Sequence, residues 1–265
     1  MTIKFGMITN PANDILEEIN SILKLGFDYA ELGIEMPGGS PEVVHRNSHK
    51  IRNLVKEFKF PPLAHTAWWI DFGGGYDLVR EVWIREANKS IDAAELLGIK
   101  KINFHLYSIG LVEEYKPYHK LIVDNIVKSL REVARYANSK NIMVMLENSN
   151  QQKKSVVDIK DYKFVIDSVP NLKVHLDIGH AFIENGMDGI KDYIFMFKNK
   201  LEHIHMHDNH GKWDEHLPLG KGKINFEQTA KWLKQIGYDK TITFEVFTSK
   251  KDAKDSMIKF RKMLS

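Results

Sequence analysis

IKFGMIT at residues 3–9 is followed by DILEEINSILKL at residues 14–25 and YAELGI at residues 29–34. The first and third segments are the short, mostly apolar runs typical of buried strands, whereas the middle segment repeats apolar residues at helical spacing. Gly26 stands directly after the middle segment, where a glycine commonly ends a helix. Together the three segments predict a strand, a helix and a second strand.

The same alternation continues to the end of the chain. The predicted strands are Ile3–Thr9, Tyr29–Ile34, Pro62–Thr66, Lys101–His105, Ile142–Glu147, Leu172–Asp177, Leu201–His207 and Thr241–Phe247. The predicted helices are Asp14–Leu25, Glu42–Phe58, Tyr76–Leu97, Tyr118–Ala137, Asp158–Asp167, Gly189–Phe197, Phe226–Ile236 and Ala253–Leu264. Strands that each precede a helix predict an α/β fold, a (β/α)8 TIM barrel, with residues 1–265 as a single domain.

An open, doubly wound α/β sheet is the alternative fold. It would place a glycine-rich phosphate-binding turn after the first strand. The residues at that position, Thr9 to Asn13, contain no glycine. The barrel is therefore favoured.

Composition limits the chemistry of the chain. Cysteine is absent and there are 12 histidines, so metal or proton chemistry must come from His, Asp and Glu. The net charge of +3 does not indicate a dedicated nucleic-acid arm. We see no secretory signal and no apolar run of about 20 residues. We therefore expect a cytoplasmic protein without a membrane partner, while the oligomeric state is left open.

Ionisable residues end six consecutive predicted strands. In a TIM barrel these strand ends form the active-site mouth. Buried carboxylates are costly unless they are paired or bound to metal, so their number here predicts a divalent cation. A ligand set of nitrogen and oxygen fits Mn²⁺, Mg²⁺, Co²⁺ or Zn²⁺. The residues are His65, His105, Glu147, Asp177 and Glu245, and on the seventh strand one or more of His203, His205 and His207.

Neighbouring positions add further candidates. His203, His205 and His207 share strand parity and could all face inward, although for His203, as for His175, we favour a buried, hydrogen-bonded or ligand-supporting histidine. In the segment after the seventh strand, two side chains stand two residues apart and could share one ion. A further pair, three residues apart, could lie at adjacent metals. The first pair is Asp214 and His216, and the second is Asp177 and His180.

The segments Leu176–Ala181 and His205–Gly222 resemble the xylose isomerase-like TIM-barrel superfamily, which includes sugar isomerases, sugar epimerases and endonuclease IV. The resemblance implies a shared metal held by Glu147, Asp177, His205 and Glu245. For endonuclease IV it implies two more metals, hence one to three ions per chain. His65 and His105 would join Glu147 on the second metal, and His180, Asp214 and His216 would hold the third.

The segments that follow the strand ends depart from endonuclease IV. That enzyme has a proline and a glycine after its fourth-strand histidine, where this chain has Leu106-Tyr107-Ser108. Its glycine-rich turn after the fifth-strand glutamate is replaced by residues 148–152, and its His-Ala-Pro-Tyr by His65-Thr66-Ala67-Trp68. The metal ligands therefore match the nuclease, whereas the substrate-facing loops do not clearly match it.

Two functions follow from these patterns. The favoured one is a metal-dependent isomerase or epimerase of a sugar or sugar phosphate, in which Glu147 and Glu245 transfer a proton through an enediolate held on the metal. The alternative is an endonuclease IV-like phosphodiesterase that cleaves DNA at abasic sites with three metals. Trp68, Trp69 and Phe72 form either an apolar wall for a sugar ring or hydrophobic packing over the mouth. Glu31 and His180 are further candidate substrate contacts.

Overall fold

The computed structural model describes residues 3–108, 117–148 and 158–265, and these form a closed barrel of parallel strands in chain order. The predicted TIM-barrel fold is confirmed. The strands are β1 Lys4–Ile8, β2 Tyr29–Ile34, β3 Leu63–Thr66, β4 Lys101–His105, β5 Met143–Glu147, β6 Lys173–Asp177, β7 Leu201–Met206 and β8 Thr241–Phe244. The helices are α1 Ile15–Leu25, α2 Pro41–Val55, α3 Asp77–Leu97, α4 His119–Ser139, α5 Ile159–Ser168, α6 Ile178–Met196, α7 Phe226–Gln235 and α8 Lys250–Leu264.

Local signals set the boundaries of α1. The Asp14 side chain accepts hydrogen bonds from the backbone N–H groups of Leu16 and Glu17, so it caps the helix. Gly26 adopts a φ of 80° at the other end, a left-handed conformation that costs glycine little. Between these ends the helix buries Ile15, Ile19 and Ile22 against the barrel. None of the helices in the three described ranges is long and apolar enough to cross a membrane.

The sixth helix differs most from its prediction. We expected Gly189–Phe197, but α6 begins at Ile178, directly after β6. Asp177 is the last residue of β6 and also caps α6, and it accepts a hydrogen bond from the backbone N–H of His180. Non-helical backbone at Asn185 and Gly186 interrupts α6 and breaks its apolar periodicity. The first half of the helix therefore gave too short a pattern to be recognised.

The barrel interior is closed below the strand ends by Tyr29. Its hydroxyl lies 2.9 Å from Thr243 Oγ1, and its ring packs on Phe60 with centroids 5.8 Å apart. A Cβ atom added at Gly6 would lie 2.2 Å from Tyr29 Cε2. Gly6 is therefore required by the space that the Tyr29 ring occupies.

The substitution Gly6→Ala tests this packing. We expect the free energy of unfolding to fall by about 1–3 kcal/mol, because the Tyr29 ring must move to admit the methyl group. Gly75→Ala is the matched control, since a Cβ there meets nothing within 4 Å. Urea denaturation of the three proteins makes the measurement, and equal stability of both variants would contradict the packing described here.

Candidate metal centre at the barrel mouth

The nine predicted ligand residues meet at the carboxyl end of the barrel, and we call them the mouth cluster. Contacts of 4.0 Å or less between a histidine nitrogen and a carboxylate oxygen connect all of them. The structure therefore brings together side chains from β3 to β7, from α6, from the loop after β7 and from the residue that follows β8. The members are His65, His105, Glu147, Asp177, His180, His205, Asp214, His216 and Glu245.

One part of the cluster surrounds Glu147. Its Oε2 lies 3.1 Å from His105 Nε2 and 3.5 Å from His65 Nε2. The Asn103 side-chain amide donates to the same oxygen over 2.6 Å. Burial by itself raises the pKa of the Glu147 carboxyl, but the neighbouring histidines, His105 first, hold that pKa well below its usual value. Glu147 is therefore a buried carboxylate that stays ionised.

A second part surrounds His205. Its Nδ1 lies 2.9 Å from Glu245 Oε2 and 4.0 Å from Asp177 Oδ2, and its Nε2 lies 3.0 Å from Glu31 Oε2. Burial lowers the pKa of His205, but the charges of Glu31 and Glu245 and their hydrogen bonds raise it well above the usual value. In the absence of an ion, His205 is therefore a cation between carboxylates.

A third part surrounds Asp214. Its Oδ2 lies 3.2 Å from His180 Nε2 and 3.0 Å from His216 Nε2. His207 Nε2 lies 3.4 Å from Asp214 Oδ1 and 3.1 Å from Asp177 Oδ1. Burial raises the pKa of Asp214, but the charge of His180 and hydrogen bonds from His180 and His216 lower it far more. The sequence did not assign a role to His207, and the structure places it in contact with two members of the mouth cluster.

The loop that carries Asp214 and His216 is organised by Asp208. The Asp208 carboxylate is buried and accepts hydrogen bonds from backbone N–H groups along the loop. Backbone hydrogen bonds also join Asp208 to Leu217 in both directions. These hydrogen bonds hold the residues that follow His216 against Asp208 at the end of β7. They therefore position Asp214 and His216 over the mouth. The donors to the carboxylate are Asn209, Gly220, Gly222 and Ile224.

Two asparagines of the site were missed in the sequence. Asn103 holds Glu147, as described above, and Asn148 exchanges two hydrogen bonds with the backbone of Asp177. The carbonyl oxygen of Asn148 also lies 3.0 Å from His180 Nδ1. Their signal was position, because both stand on or directly after strands that end in candidate ligands. Residues 149–152, which depart from endonuclease IV, lie outside the described residues.

Beneath the mouth cluster lies a deeper polar layer of Glu31, His175 and His203, all completely buried. His203 makes hydrogen-bond contacts to Thr241 and Glu31, as we expected of it. Within the part of the chain that the structure describes, His175 makes no hydrogen bond, and its Nδ1 lies 3.3 Å from Glu147 Oε2. Burial and the nearby His205 lower the pKa of His175 well below its usual value, so it is a neutral ring.

The aromatic residues after β3 divide into two kinds. Trp68 is 54% exposed and meets Tyr107 edge to face with centroids 5.2 Å apart, while Trp69 is 37% exposed. Phe72 is buried and packs on Phe104, so of the two alternatives for this ring the structure favours hydrophobic packing. The backbone carbonyl of Phe72 accepts a hydrogen bond from the Ser129 hydroxyl on α4, which holds this part of the loop against the core. Trp68 and Trp69 keep apolar surface available at the site.

The mouth cluster fits a divalent cation. Several buried atoms that can bind metal have no hydrogen-bond partner among the described residues, including Asp177 Oδ2, both ring nitrogens of His65 and Nδ1 of His207. Sets of three ligand atoms within 4.8 Å of one another include His65, His105 and Glu147, and also His65, His205 and Glu245. Oxygen and imidazole donors without sulfur suit Mn²⁺, Co²⁺ and Zn²⁺. These residues could therefore hold one or more ions.

Closed parallel strands that alternate with helices define a TIM barrel, and carboxylates and histidines converge at its mouth. The model of the xylose isomerase-like TIM barrel family matches residues 19–263, so the chain belongs to that family. A crystal structure of a D-tagatose 3-epimerase-like protein superposes with a TM-score of 0.84 and 24% identity, covering 99% of this chain and 97% of that one. This likeness shows the fold.

The sequence relatives include a probable endonuclease, a sugar epimerase and uncharacterized proteins. A probable endonuclease 4 of Aquifex aeolicus is 23% identical over 95% of this chain and 93% of its own length. The L-ribulose 3-epimerase of Methylomonas sp. is 31% identical over 47% of this chain and 42% of its own. Two uncharacterized proteins of Methanocaldococcus jannaschii are 32% and 34% identical, and the chain spans 50% and 57% of their lengths.

Metal uptake should release protons. Burial lowers the pKa of His207, but Asp177 and Asp214 raise it to about 9, and carboxylates raise the pKa of His205 and His180 as well. An ion bound to His205 must displace the proton on its ligating nitrogen, and the charge of the ion favours loss of protons from the nearby His207 and His180, so its affinity should increase as the pH rises through neutrality. Titration calorimetry with Zn²⁺ at pH 7 in two buffers of different ionisation enthalpy measures the number released. Equal heats in both buffers would contradict the protonation described here.

Proposed function

We propose that the protein is a metal-dependent isomerase or epimerase of a sugar or sugar phosphate. The observation that carries the proposal is the placement of Glu147 and Glu245 at one mouth. Glu147 contacts His65, Glu245 contacts His205, and these two rings stack with centroids 5.4 Å apart. Because β5 and β8 are three strands apart in the closed barrel, the two carboxylates approach the mouth from different sides.

This arrangement suits transfer of a proton at carbon. One carboxylate removes the proton from the carbon next to the substrate carbonyl, and the electron pair moves to the carbonyl oxygen to give an enediolate. The other carboxylate takes a proton from solvent and donates it to the opposite face of the same carbon, which inverts that carbon without net oxidation or reduction. The first carboxylate then releases its proton to solvent. A divalent ion supplies a Lewis acid that polarises the substrate oxygens. Residues proposed to hold it are Glu147, Asp177, His205 and Glu245.

The rim of the mouth supports a small polyhydroxylated substrate. Trp68 presents an exposed indole face beside Tyr107, and an aromatic face can pack on the apolar side of a sugar ring. His180 lies against Glu147, with its Nδ1 3.5 Å from Glu147 Oε1. We propose Trp68, Trp69 and His180 as the substrate contacts. The sugar epimerases among the relatives and structural neighbours support this class of substrate.

Exchange with solvent tests the proposal. With Mn²⁺ and D-tagatose or L-ribulose in ²H₂O, deuterium should enter the carbon next to the carbonyl, which nuclear magnetic resonance detects. Glu245→Gln should lower the exchange rate by at least about 100-fold, because it removes a carboxylate that accepts or returns the proton. Glu184→Gln is the control, since Glu184 accepts hydrogen bonds from the Tyr193 hydroxyl and the Ile159 backbone N–H outside the mouth. Full exchange by Glu245→Gln would place the chemistry elsewhere.

An endonuclease IV-like phosphodiesterase is the second candidate function. It is favoured by the convergence of His180, Asp214 and His216, which could hold a further ion beside Asp177. The probable endonuclease 4 of Aquifex aeolicus is similar over nearly the whole chain. Its substrate would be DNA, for which a net charge of +3 supplies little attraction.

Duplex DNA containing one abasic site separates the two functions. Under the proposed function, the protein loaded with Zn²⁺ or Mn²⁺ should nick this duplex no faster than the chelated control. Elemental analysis of the dialysed protein should find one tightly held ion per chain rather than three. Rapid metal-dependent nicking together with three ions and no deuterium exchange would favour the phosphodiesterase and overturn the sugar proposal.

A further inference from the structure

Glu31 lies beneath the mouth cluster and is completely buried. Its Oε2 is 3.0 Å from His205 Nε2 and also 3.0 Å from His203 Nε2. A side chain enclosed in this way has no surface for a substrate. Its surroundings therefore point to a role other than the substrate contact that the sequence suggested.

The geometry around Glu31 fixes the direction of both hydrogen bonds. One oxygen of its buried carboxylate lies 3.0 Å from two imidazole nitrogens, His203 Nε2 and His205 Nε2. A carboxylate oxygen that accepts a hydrogen bond from each ring requires a proton on both Nε2 atoms. Nδ1 of His203 can then accept from the Thr241 hydroxyl, which lies 2.8 Å away.

The same constraint leaves the other nitrogen of His205 for a metal. His205 Nδ1 lies 2.9 Å from Glu245 Oε2 and 4.0 Å from Asp177 Oδ2. Histidines that bind metals usually donate their second N–H to a carboxylate or carbonyl, which fixes the tautomer and the ring orientation. Three possible ligand atoms therefore face one another: His205 Nδ1, Glu245 Oε2 and Asp177 Oδ2. Without a proton, Nδ1 has a lone pair that could bind an ion.

We infer that Glu31 is a positioning residue, which holds the proton on His205 Nε2 and so presents His205 Nδ1 to the ion at the mouth. His203 shares the same oxygen and limits the movement of the carboxylate. The inference rests on the metal site of the proposed function, and it is independent of the reaction carried out there. Glu31 acts on the ion through His205 rather than by direct contact.

The test uses Zn²⁺ and the variant Glu31→Gln. Competition with a chromophoric chelator should show Zn²⁺ bound about 10–100-fold more weakly, the range usual for the loss of a hydrogen bond to a metal-bound histidine. Glu18→Gln is the matched control, because Glu18 is also a buried carboxylate but pairs with Lys250 away from the mouth. Its Zn²⁺ affinity should equal that of the unmodified protein. Unchanged affinity in folded Glu31→Gln would overturn the inference.

A spectroscopic measurement separates positioning from simple loss of negative charge. Nitrogen-15 spectra of the unmodified, Zn²⁺-loaded protein should show the His205 proton on Nε2 and the metal on Nδ1. In Glu31→Gln the amide can donate or accept, so the His205 signals should change to a mixture of tautomers, which loss of charge alone would not produce. If Glu31→Gln does not fold, the spectrum of the unmodified protein still decides. Zn²⁺ on Nε2 would overturn the inference.

The role of Glu31 can be tested independently of the proposed reaction. Zn²⁺ affinity and nitrogen-15 shifts are measured without turnover. Absence of deuterium exchange with every ketose would therefore count against the proposed function, while the His205 tautomer would still report on Glu31.

Discussion

The pairing of buried carboxylates with histidines is the interaction on which the mouth of this barrel depends. Glu147, Asp177 and Glu245 are each less than 10% exposed, and burial alone would make them neutral. Their pKa values are nevertheless lowered, because histidines lie against every one of them. Removing one partner from such a buried pair typically costs about 3–5 kcal/mol. This cost keeps the histidines beside the carboxylates even without a bound ligand.

The parallel barrel supplies the geometry for this pairing. In the strand register, His105 stands opposite Glu147 and Asp177 stands opposite His205, so ligand candidates are immediate neighbours across adjacent strands. Loops complete the site, since Asp208 fastens the segment that brings Asp214 over the mouth. The strand register and the buried Asp208 carboxylate thus bring the ligand candidates together in one cluster.

The fold could be predicted because strands that are covered on both faces have short apolar runs, and helices between them repeat at a different period. The convergence of the site could also be predicted, because parallel strands end at one side of a barrel. The roles of its residues stay predictions. Sequence could not show that α6 begins at Ile178, since Asn185 and Gly186 break its pattern.

Other features depended on three-dimensional detail that a sequence pattern does not contain. Phe72 follows two exposed tryptophans yet packs in the core, because the path of the loop after β3 decides its direction. Strand parity made His203, His205 and His207 equivalent, and only side-chain contacts separate them. His203 lies in the deeper layer, His205 contacts Glu245, and His207 contacts Asp177.

The proposed function and the role proposed for Glu31 both require a divalent ion at the mouth cluster. The most direct test is a crystal structure of the protein grown with Mn²⁺, with anomalous diffraction recorded on the long- and short-wavelength sides of the manganese absorption edge. We expect an anomalous peak within about 2.0–2.4 Å of oxygen or nitrogen atoms of Glu147, Asp177, His205 and Glu245. A mouth without such a peak at saturating Mn²⁺, or a manganese site bound only by other residues, would contradict this expectation.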